Sequence, residues 1–229
     1  MERLILSWSG GKDSALALRE LRRDQYCEIT ALLTTVTEGY NRVSMHGVRA
    51  SLVEQQASAA GIPLVKMSIP PGAGNERYES EMRQVLTRAR KKGVCGVAFG
   101  DVFLEGIRHY REEKLSQVGM KAVFPIWKMN TRDLAMQFIK QGFRAVLTCV
   151  DSQRLDRSFA GRSFDETLLA DLPSSVDPSG ENGEFHTFVH AGPIFSRPIL
   201  IRPGEIVLRE NRFWYCDLIP ETRRRKPVS

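Results

Sequence analysis

The sequence predicts an α/β fold, with a parallel sheet covered by helices on both faces and a small C-terminal α+β subdomain after it. Short apolar runs alternate with helical periodicity through the first two thirds of the chain, and this alternation implies crossover connections between parallel strands. The last third contains a loop rich in Pro, Ser, Gly and Asp, Pro173–Gly183, and then short β-like pieces that favour antiparallel pairing. The expected divisions are residues 1–126, residues 127–220 and a basic tail at residues 221–229.

Each element is predicted from its apolar pattern. The expected strands of the first part are Leu4–Leu6, Ile29–Leu33, Pro63–Ile69, Val94–Phe99, Ala122–Ile126 and Phe143–Val150. The expected helices are Asp13–Arg23, Val48–Ala60, a stretch that includes Tyr78–Ala89, Ile107–Val118 and Thr131–Gln141. The β-like pieces of the last third are Phe185–Val189, Pro198–Ile201, Glu205–Leu208 and Arg212–Leu218. Ligands of parallel sheets bind beyond the carboxyl ends of the strands, so the loops that follow the strands are where we expect a site.

Composition is that of an ordinary water-soluble protein. Of the 229 residues, 42% are hydrophobic and 26% are charged, with no apolar run long enough for a membrane helix and no signal peptide at the start. We therefore expect a cytoplasmic protein with no membrane partner. The four cysteines are widely spaced, which favours free buried thiols over a metal site.

The net charge of +6 is modest, and part of it lies in the tail segment Arg223–Lys226. Such a tail can contact RNA or form a solvated chain end, and we favour the solvated end because termini are usually loose. RNA is therefore a possible partner but not the favoured one.

The strongest motif lies between the first strand and the first helix. It reads SGGKDS and consists of Ser9, Gly10, Gly11, Lys12, Asp13 and Ser14. Adjacent glycines let the backbone approach a ligand, and the free N–H groups at the start of the helix form an anion site. Lys12 adds a charge suited to phosphate, whereas Asp13 is expected to cap the helix or to bind Mg²⁺. The spacing is not that of a Walker A loop.

A second polar stretch, Gly100–Glu112, begins at the end of the fourth strand. Asp101 is expected to hold Mg²⁺ or a hydroxyl group. Arg108 and Arg111 are three residues apart on one helix, so they either clamp a carboxylate or phosphate of a second substrate or face the solvent.

A third stretch, Gly180–Thr187, combines two glycines with two carboxylates and a histidine. Loops of this content often carry function. Glu184 is the expected proton acceptor, while Glu181 and His186 are expected to contact the substrate. The alternative is a plain turn that leads into a strand.

Together these motifs resemble the diphthine–ammonia ligase-like family of PP-loop ATP pyrophosphatases, over nearly the whole chain from Leu4 to Leu218. Further similarities are the segments Met45–Arg49 and Pro125–Trp127. The family pattern G-E-G-G-E-[FY]-E-T is changed at Asn182 and His186, so the chain is similar to the bacterial-type branch. Diphthamide is not made in bacteria, so the acceptor is left open.

The resemblance implies a Rossmann-like, adenine nucleotide alpha-hydrolase-like domain and an amide-forming reaction that uses ATP and Mg²⁺. A carboxylate of an unknown small-molecule or protein acceptor would be adenylated with release of pyrophosphate, and ammonia or an amine would then displace AMP. The expected catalytic residues are Lys12, Asp101 and Glu184, and the expected metal ligands are Asp13 and Asp101.

Two other functions stay open. One is tRNA modification, against which the absence of a C-x-x-C pair and of an obvious extra RNA-binding domain counts. The other is a nucleotide-binding sensor without turnover, against which the set of charged residues in the motifs counts.

Overall fold

The structure is a computed structural model that describes residues 1–25 and 27–221. Its helices are α1 (Lys12–Arg23), α2 (Ala50–Ala60), α3 (Asn75–Lys91), α4 (Glu105–Ser116), α5 (Thr131–Lys140) and α6 (Glu166–Asp171). Its strands are β1 (Glu2–Ser7), β2 (Cys27–Thr37), β3 (Arg42–Val43), β4 (Leu64–Ile69), β5 (Gly96–Ala98), β6 (Lys121–Val123), β7 (Arg144–Asp151), β8 (Phe185–Ala191), β9 (Ile201–Arg209) and β10 (Phe213–Pro220). The predicted basic tail falls almost wholly outside the described residues.

The N-terminal half is built around a mostly parallel sheet. β1 lies at its centre, between β2 and β5, while β4 and β6 extend it outward, all in parallel pairs. Only the two-residue β3 runs antiparallel, against the end of β2. Side chains of β1 alternate between two cores, because Leu4 and Leu6 pack in one and Ile5 in the other. Both faces are therefore covered, as the predicted fold class requires.

The C-terminal half contains a second sheet of four antiparallel strands, in the order β8–β7–β10–β9. We expected β7 to be the last strand of the parallel run, which is wrong: it pairs antiparallel with β8 and β10. Residues Ala145–Asp151 are all buried, and a strand covered on both faces has the same apolar pattern in either kind of sheet. The two pieces expected at Pro198–Ile201 and Glu205–Leu208 are replaced by the single strand β9.

The two halves share one core, which places the loop after β1 against the second sheet. The larger apolar cluster includes residues of α1 and α2 together with residues of β7 and β8. The backbone N–H of Val189 on β8 donates to the carbonyl of Gly10, at 2.9 Å. A ligand beyond the end of β1 is thus enclosed by both halves. No helix in the described part of the chain is long and apolar enough to span a bilayer.

Candidate active site

The loop Ser9–Ser14 connects β1 to α1 with a backbone that only glycine adopts easily. Gly10 has a φ of +80°, in the region where side chains are strained. Gly11 is the N-cap of α1 and provides no side-chain cap, so the N–H groups of Asp13 and Ser14 are not taken by a capping side chain. Ser9 Oγ accepts from Gly11 N–H at 3.2 Å, and Ser14 Oγ donates to Gly11 O at 2.9 Å. A glycine turn at a helix N-terminus is the kind of backbone that suits an anion.

Gln56 on α2 fixes this loop from behind. Its side chain is fully buried, and its amide Nε2 donates to the carbonyls of Gly10 and Val189, at 3.0 and 2.6 Å. Its Oε1 accepts from Trp8 Nε1 at 2.9 Å. Both N–H donors of the amide and one of the two acceptor positions of its oxygen are engaged within the protein, so Gln56 holds the loop rather than a ligand.

Lys12 is buried at the first position of α1, and only 3% of it is exposed. Its Nζ donates to both carboxylate oxygens of Asp13, at 2.8 Å each, and lies 5.7 Å from the ring centroid of Phe185. Its backbone N–H donates to Thr187 Oγ1 at 3.0 Å. The predicted phosphate-binding cation is therefore held by its neighbour and by the start of β8.

A cavity of about 550 Å³ opens beyond the carboxyl end of the parallel sheet. It is large enough for a nucleotide or a drug-sized ligand. Both halves of the chain contribute to its wall. The predicted site residues among its lining are Ser9, Lys12, Asp13, Ser14, Asp101, Arg111, Glu181 and His186. Four other predicted site residues are not part of this wall: Gly10, Gly11, Arg108 and Glu184.

Asp101 and Arg111 form an ion pair on the cavity wall. Arg111 Nη2 donates to Asp101 Oδ1 at 3.1 Å, and Arg111 Nε lies 2.6 Å from Asp101 Oδ2. The guanidinium also lies over the Phe99 ring, 4.1 Å from its centroid. A cation held by a carboxylate and an aromatic face is pre-oriented for a second anion.

Arg108 takes a different direction from the same helix. Its Nε donates to Glu112 Oε1 at 2.8 Å, and its guanidinium lies over the rings of Phe124 and Trp127, at 5.2 and 4.8 Å. These contacts engage Arg108 away from the cavity. The predicted arginine pair is therefore divided, and Arg111 alone reaches the site.

Glu181 is the carboxyl group of the third motif that faces the cavity. Its Oε1 accepts from the backbone N–H of Val102 at 2.7 Å. Burial, with a smaller contribution from the Asp13 carboxylate, raises the pKa of Glu181 to about 7, although the Val102 N–H and Lys12 oppose the shift. A group with this pKa exchanges protons readily at neutral pH.

Glu184, in contrast, holds its own loop together. It is 3% exposed, and its carboxylate accepts from the backbone N–H groups of Asp177 and Asn182, at 3.1 and 3.0 Å. The Asn182 side chain donates a further bond of 3.1 Å. A buried carboxylate with three local donors stabilises a turn, so this geometry favours a structural role for Glu184.

Two histidines, His46 and His186, lie together on the cavity wall. Their ring centroids are 4.5 Å apart with the planes tilted by 33°, and His46 Nδ1 lies 3.3 Å from Thr187 O. Burial lowers the pKa of His46 to about 4, with help from Lys12. Burial, His46 and Lys12 lower the pKa of His186 to about 3. Both rings are therefore neutral at physiological pH.

The expected Mg²⁺ ligands do not form a preformed metal site. Both oxygens of Asp13 accept from Lys12, and Asp101 is paired with Arg111. Within residues 1–25 and 27–221, no group of three or more His, Cys, Asp or Glu side chains is placed to hold a metal ion. Protein sites for Mg²⁺ usually combine one or two free carboxylates with substrate phosphates, and neither carboxylate is free here.

Comparison with family models gives a match to both halves of the chain. The diphthamide synthase N-terminal domain matches residues 2–122, and the diphthamide synthase C-terminal domain matches residues 130–220. The chain belongs to the diphthamide synthase family. This confirms the family resemblance drawn from the motifs, while the bacterial-type branch stays a prediction.

Curated relatives of the diphthamide synthase family are similar at low identity. The chain is 22% identical to the human diphthine–ammonia ligase over 177 residues, covering 75% of this chain and 66% of that protein. It is 27% identical to the Schizosaccharomyces pombe enzyme of the same name over 218 residues, covering 87% of this chain but 36% of that protein. The chain thus spans less than two thirds of the length of these relatives.

Among solved structures, the chain is similar to a predicted subunit of tRNA methyltransferase from Methanocaldococcus jannaschii. The TM-score is 0.43 at 12% identity, over 68% of this chain and 81% of that one. We draw no functional argument from this similarity.

Sequence analysis missed two contributors to the site, His46 and Gln56. His46 was noted only within a segment similar to the family. Gln56 carries a signal that could have revealed it, because it is a polar residue on the apolar face of α2 that also presents Leu52, Val53 and Ala60. A buried amide in that position requires internal partners.

Proposed function

We propose that the protein cleaves ATP to AMP and pyrophosphate and uses the resulting acyl adenylate to form an amide with ammonia or an amine. The observation that carries this proposal is the convergence of two features in one cavity: the anion-binding loop Ser9–Ser14 and Glu181, with its pKa of about 7. Relatives named diphthine–ammonia ligase support the class of reaction.

The lining of the cavity combines polar and apolar side chains, which suits the phosphates and the base of ATP. The loop at the start of α1 is placed for the phosphates. Leu33, Ile69, Tyr78, Met82 and Phe99 form an apolar part of the wall, which suits the adenine base. An aromatic and aliphatic surface contributes binding without charge.

In the first step, a carboxylate oxygen of the acceptor bonds to the α phosphorus, and the bond from that phosphorus to the bridging oxygen breaks. Pyrophosphate leaves with the bonding electrons. Arg111 orients the incoming carboxylate, because its guanidinium is fixed by Asp101 at the cavity wall. Holding the two reactants in line is a large part of such catalysis.

In the second step, the nitrogen of ammonia or an amine attacks the acyl carbon, and the bond from that carbon to the AMP oxygen breaks. The nitrogen loses a proton as it bonds, and Glu181 is the carboxylate placed to accept it. This assigns to Glu181 the role that sequence analysis gave to Glu184. The acceptor stays a carboxylate-bearing small molecule or protein, and Mg²⁺ stays a predicted companion of the phosphates.

Product analysis tests the proposal. ATP labelled at the α and γ phosphates is incubated with the full chain, with and without a pool of cellular metabolites and proteins. We expect labelled AMP and labelled pyrophosphate. Release of ADP and orthophosphate overturns the proposal. Tight ATP binding with no turnover in any pool indicates the sensor instead, and label transferred to RNA indicates tRNA modification.

A further inference from the structure

The paired histidines His46 and His186 have no part in the proposed reaction, yet they line its cavity. They come from the two halves of the chain: His46 lies in the loop between β3 and α2, and His186 lies on β8. Their ring centroids are 4.5 Å apart. A pair assembled from two distant segments requires both halves to be in place.

The pair is attached directly to the anion-binding loop. A Cβ atom added to Gly11 would lie 3.1 Å from His46 Cε1, so the ring packs against the loop backbone. His46 Nδ1 lies beside the carbonyl of Thr187, whose hydroxyl accepts from the Lys12 N–H. The imidazoles therefore border the place where a phosphate on this loop would lie.

The loop that carries His46 is anchored to the second sheet. Arg42 and Arg49 both pair with Asp217 on β10, and Gly47 lies so close to the Tyr215 ring that an added Cβ would be 2.6 Å from it. The position of His46 is thus fixed before any ligand arrives. Pre-organised groups lose less entropy on binding.

The cations on the cavity wall are paired with carboxylates, so an anion that binds there needs further hydrogen-bond donors. Lys12 is paired with Asp13, and Arg111 with Asp101, so the fixed cations of this wall are already matched by carboxylates. A pyrophosphate group brings several negative charges and needs further donors. Neutral imidazole has one N–H donor, and imidazolium has two. The donor of neutral His46 serves the carbonyl of Thr187, so His46 offers an N–H to phosphate when its ring is charged.

We infer that His46 and His186 bind the terminal phosphates of ATP, the part that leaves as pyrophosphate, as a second anion-binding element beside the loop Ser9–Ser14. The inference rests on the proposed function. If the histidines bind the terminal phosphates, they favour nucleotides that carry a pyrophosphate group over AMP, which has no terminal phosphates.

Binding of the anion also charges the pair. Burial keeps both rings neutral in the free protein, and an anion at hydrogen-bond distance favours the imidazolium form. Lys12 and Asp13 from α1 act on His186, and Glu181 lines the same cavity from the loop before β8. Arg42, Arg49 and Asp217 adjoin the His46 loop. Pyrophosphate affinity should therefore rise as the pH falls from 8 to 6.

The test measures binding of pyrophosphate, and separately of AMP, to the full chain by calorimetry. The variants are His46→Leu, His186→Leu and the double variant, with His46→Gln and His186→Gln as conservative replacements that keep an N–H donor. His190→Leu is the matched control, since His190 also lies on β8 but outside the cavity.

We expect each leucine variant to lose roughly tenfold to a hundredfold in pyrophosphate affinity, the effect of a lost hydrogen bond to a charged group. AMP affinity should be unchanged, which also shows that the variants fold. The glutamine variants should recover part of the loss, and His190→Leu should bind as the unaltered protein does. Equal pyrophosphate affinity in the double variant overturns the inference, as does a failure of the unaltered protein to bind pyrophosphate.

The pH dependence of pyrophosphate affinity gives a second measurement. It would not change in the double variant if the histidines only supported the structure. The gain in affinity between pH 8 and pH 6 should be larger in the unaltered protein than in the double variant, because protonation of the ligand itself is common to both. Parallel pH profiles overturn the charging of the pair. Failure of the inference about the histidines leaves the proposed function intact. Release of ADP from ATP, in contrast, overturns the proposed function whatever the histidines bind.

Discussion

Two loops line the same cavity and do so by different means. The loop Ser9–Ser14 offers its backbone at the start of a helix, and its glycines leave room for Gln56, His46 and Thr187 to pack against it. The loop Gly180–Gly183 presents a side chain, Glu181, whose properties come from burial and from partners far away in the sequence. A loop that offers its backbone can be predicted from local sequence, whereas the carboxylate that lines the cavity depends on how the fold orients each side chain.

The largest effect on ATP binding is expected from Gly11→Val. A Cβ at this position would lie 3.1 Å from both His46 Cε1 and Thr187 O, so the valine must displace the start of the helix or the cavity wall. We expect ATP affinity to fall by at least about 10²-fold, as when fixed donors to an oxyanion are lost. Binding is measured by calorimetry. Gly106→Ala on α4, where an added Cβ meets nothing within 4 Å, is the control and should bind ATP normally.

The next prediction compares Glu181 and Glu184, by replacing each with glutamine. Glu181→Gln should reduce amide formation by roughly 10²–10⁴-fold while ATP affinity changes little, since glutamine cannot accept the proton. Glu184→Gln should instead lower the free energy of unfolding, by about 1–3 kcal/mol, because a neutral amide cannot satisfy all the donors that Glu184 serves. Turnover and thermal melts are measured on both variants. Full turnover in Glu181→Gln would return Glu184 to the catalytic role.

The pH dependence of kcat/KM tests whether Glu181 is the proton acceptor. Glu181 acts as a base only when ionised, and its pKa is about 7, so kcat/KM should increase as the pH rises through 7. The increase from pH 6 to pH 8 should be roughly tenfold, following the ionised fraction. The Glu181→Gln variant should lack this step. A profile that is flat in the unaltered protein would remove Glu181 as the proton acceptor.

The smallest effects distinguish the two arginines of α4. Arg111→Met should lower kcat/KM by roughly tenfold, since one hydrogen-bonding cation leaves the wall. Arg108→Met should leave kcat/KM unchanged and cost about 0.5–1 kcal/mol of stability, the value of an exposed cation–π contact. Steady-state kinetics and chemical denaturation measure the two effects. Equal kinetic losses in both variants would support the original prediction of a paired clamp.

Most of the parallel sheet could be predicted because its strands and helices differ in hydrophobic period. The sheet that contains β7 could not be assigned in the same way, since β7 is buried on both faces and its partner β8 follows about 35 residues later, a separation that local pattern does not encode.

In the candidate site, too, some features follow from local sequence and others depend on contacts between distant segments. The loop Ser9–Ser14 was predicted at residue level, because its chemistry follows from adjacent glycines before a helix. The roles of Glu181 and Glu184 could not be distinguished, since both lie in one turn and differ only in the contacts that the fold gives them. His46 was missed because its partner, His186, is distant in the chain.

Gln56 has a consequence for how the chain can be divided or exchanged. The side-chain amide of Gln56 donates to the carbonyls of both Gly10 and Val189. The loop Ser9–Ser14 therefore takes its shape partly from the C-terminal half of the molecule. A gene split between the two family domains should give fragments that regain ATP binding only when they are co-expressed and reassociate. A hybrid with the C-terminal half of a relative should work only where that half presents its β8 backbone to Gly10 and Gln56 in the same register.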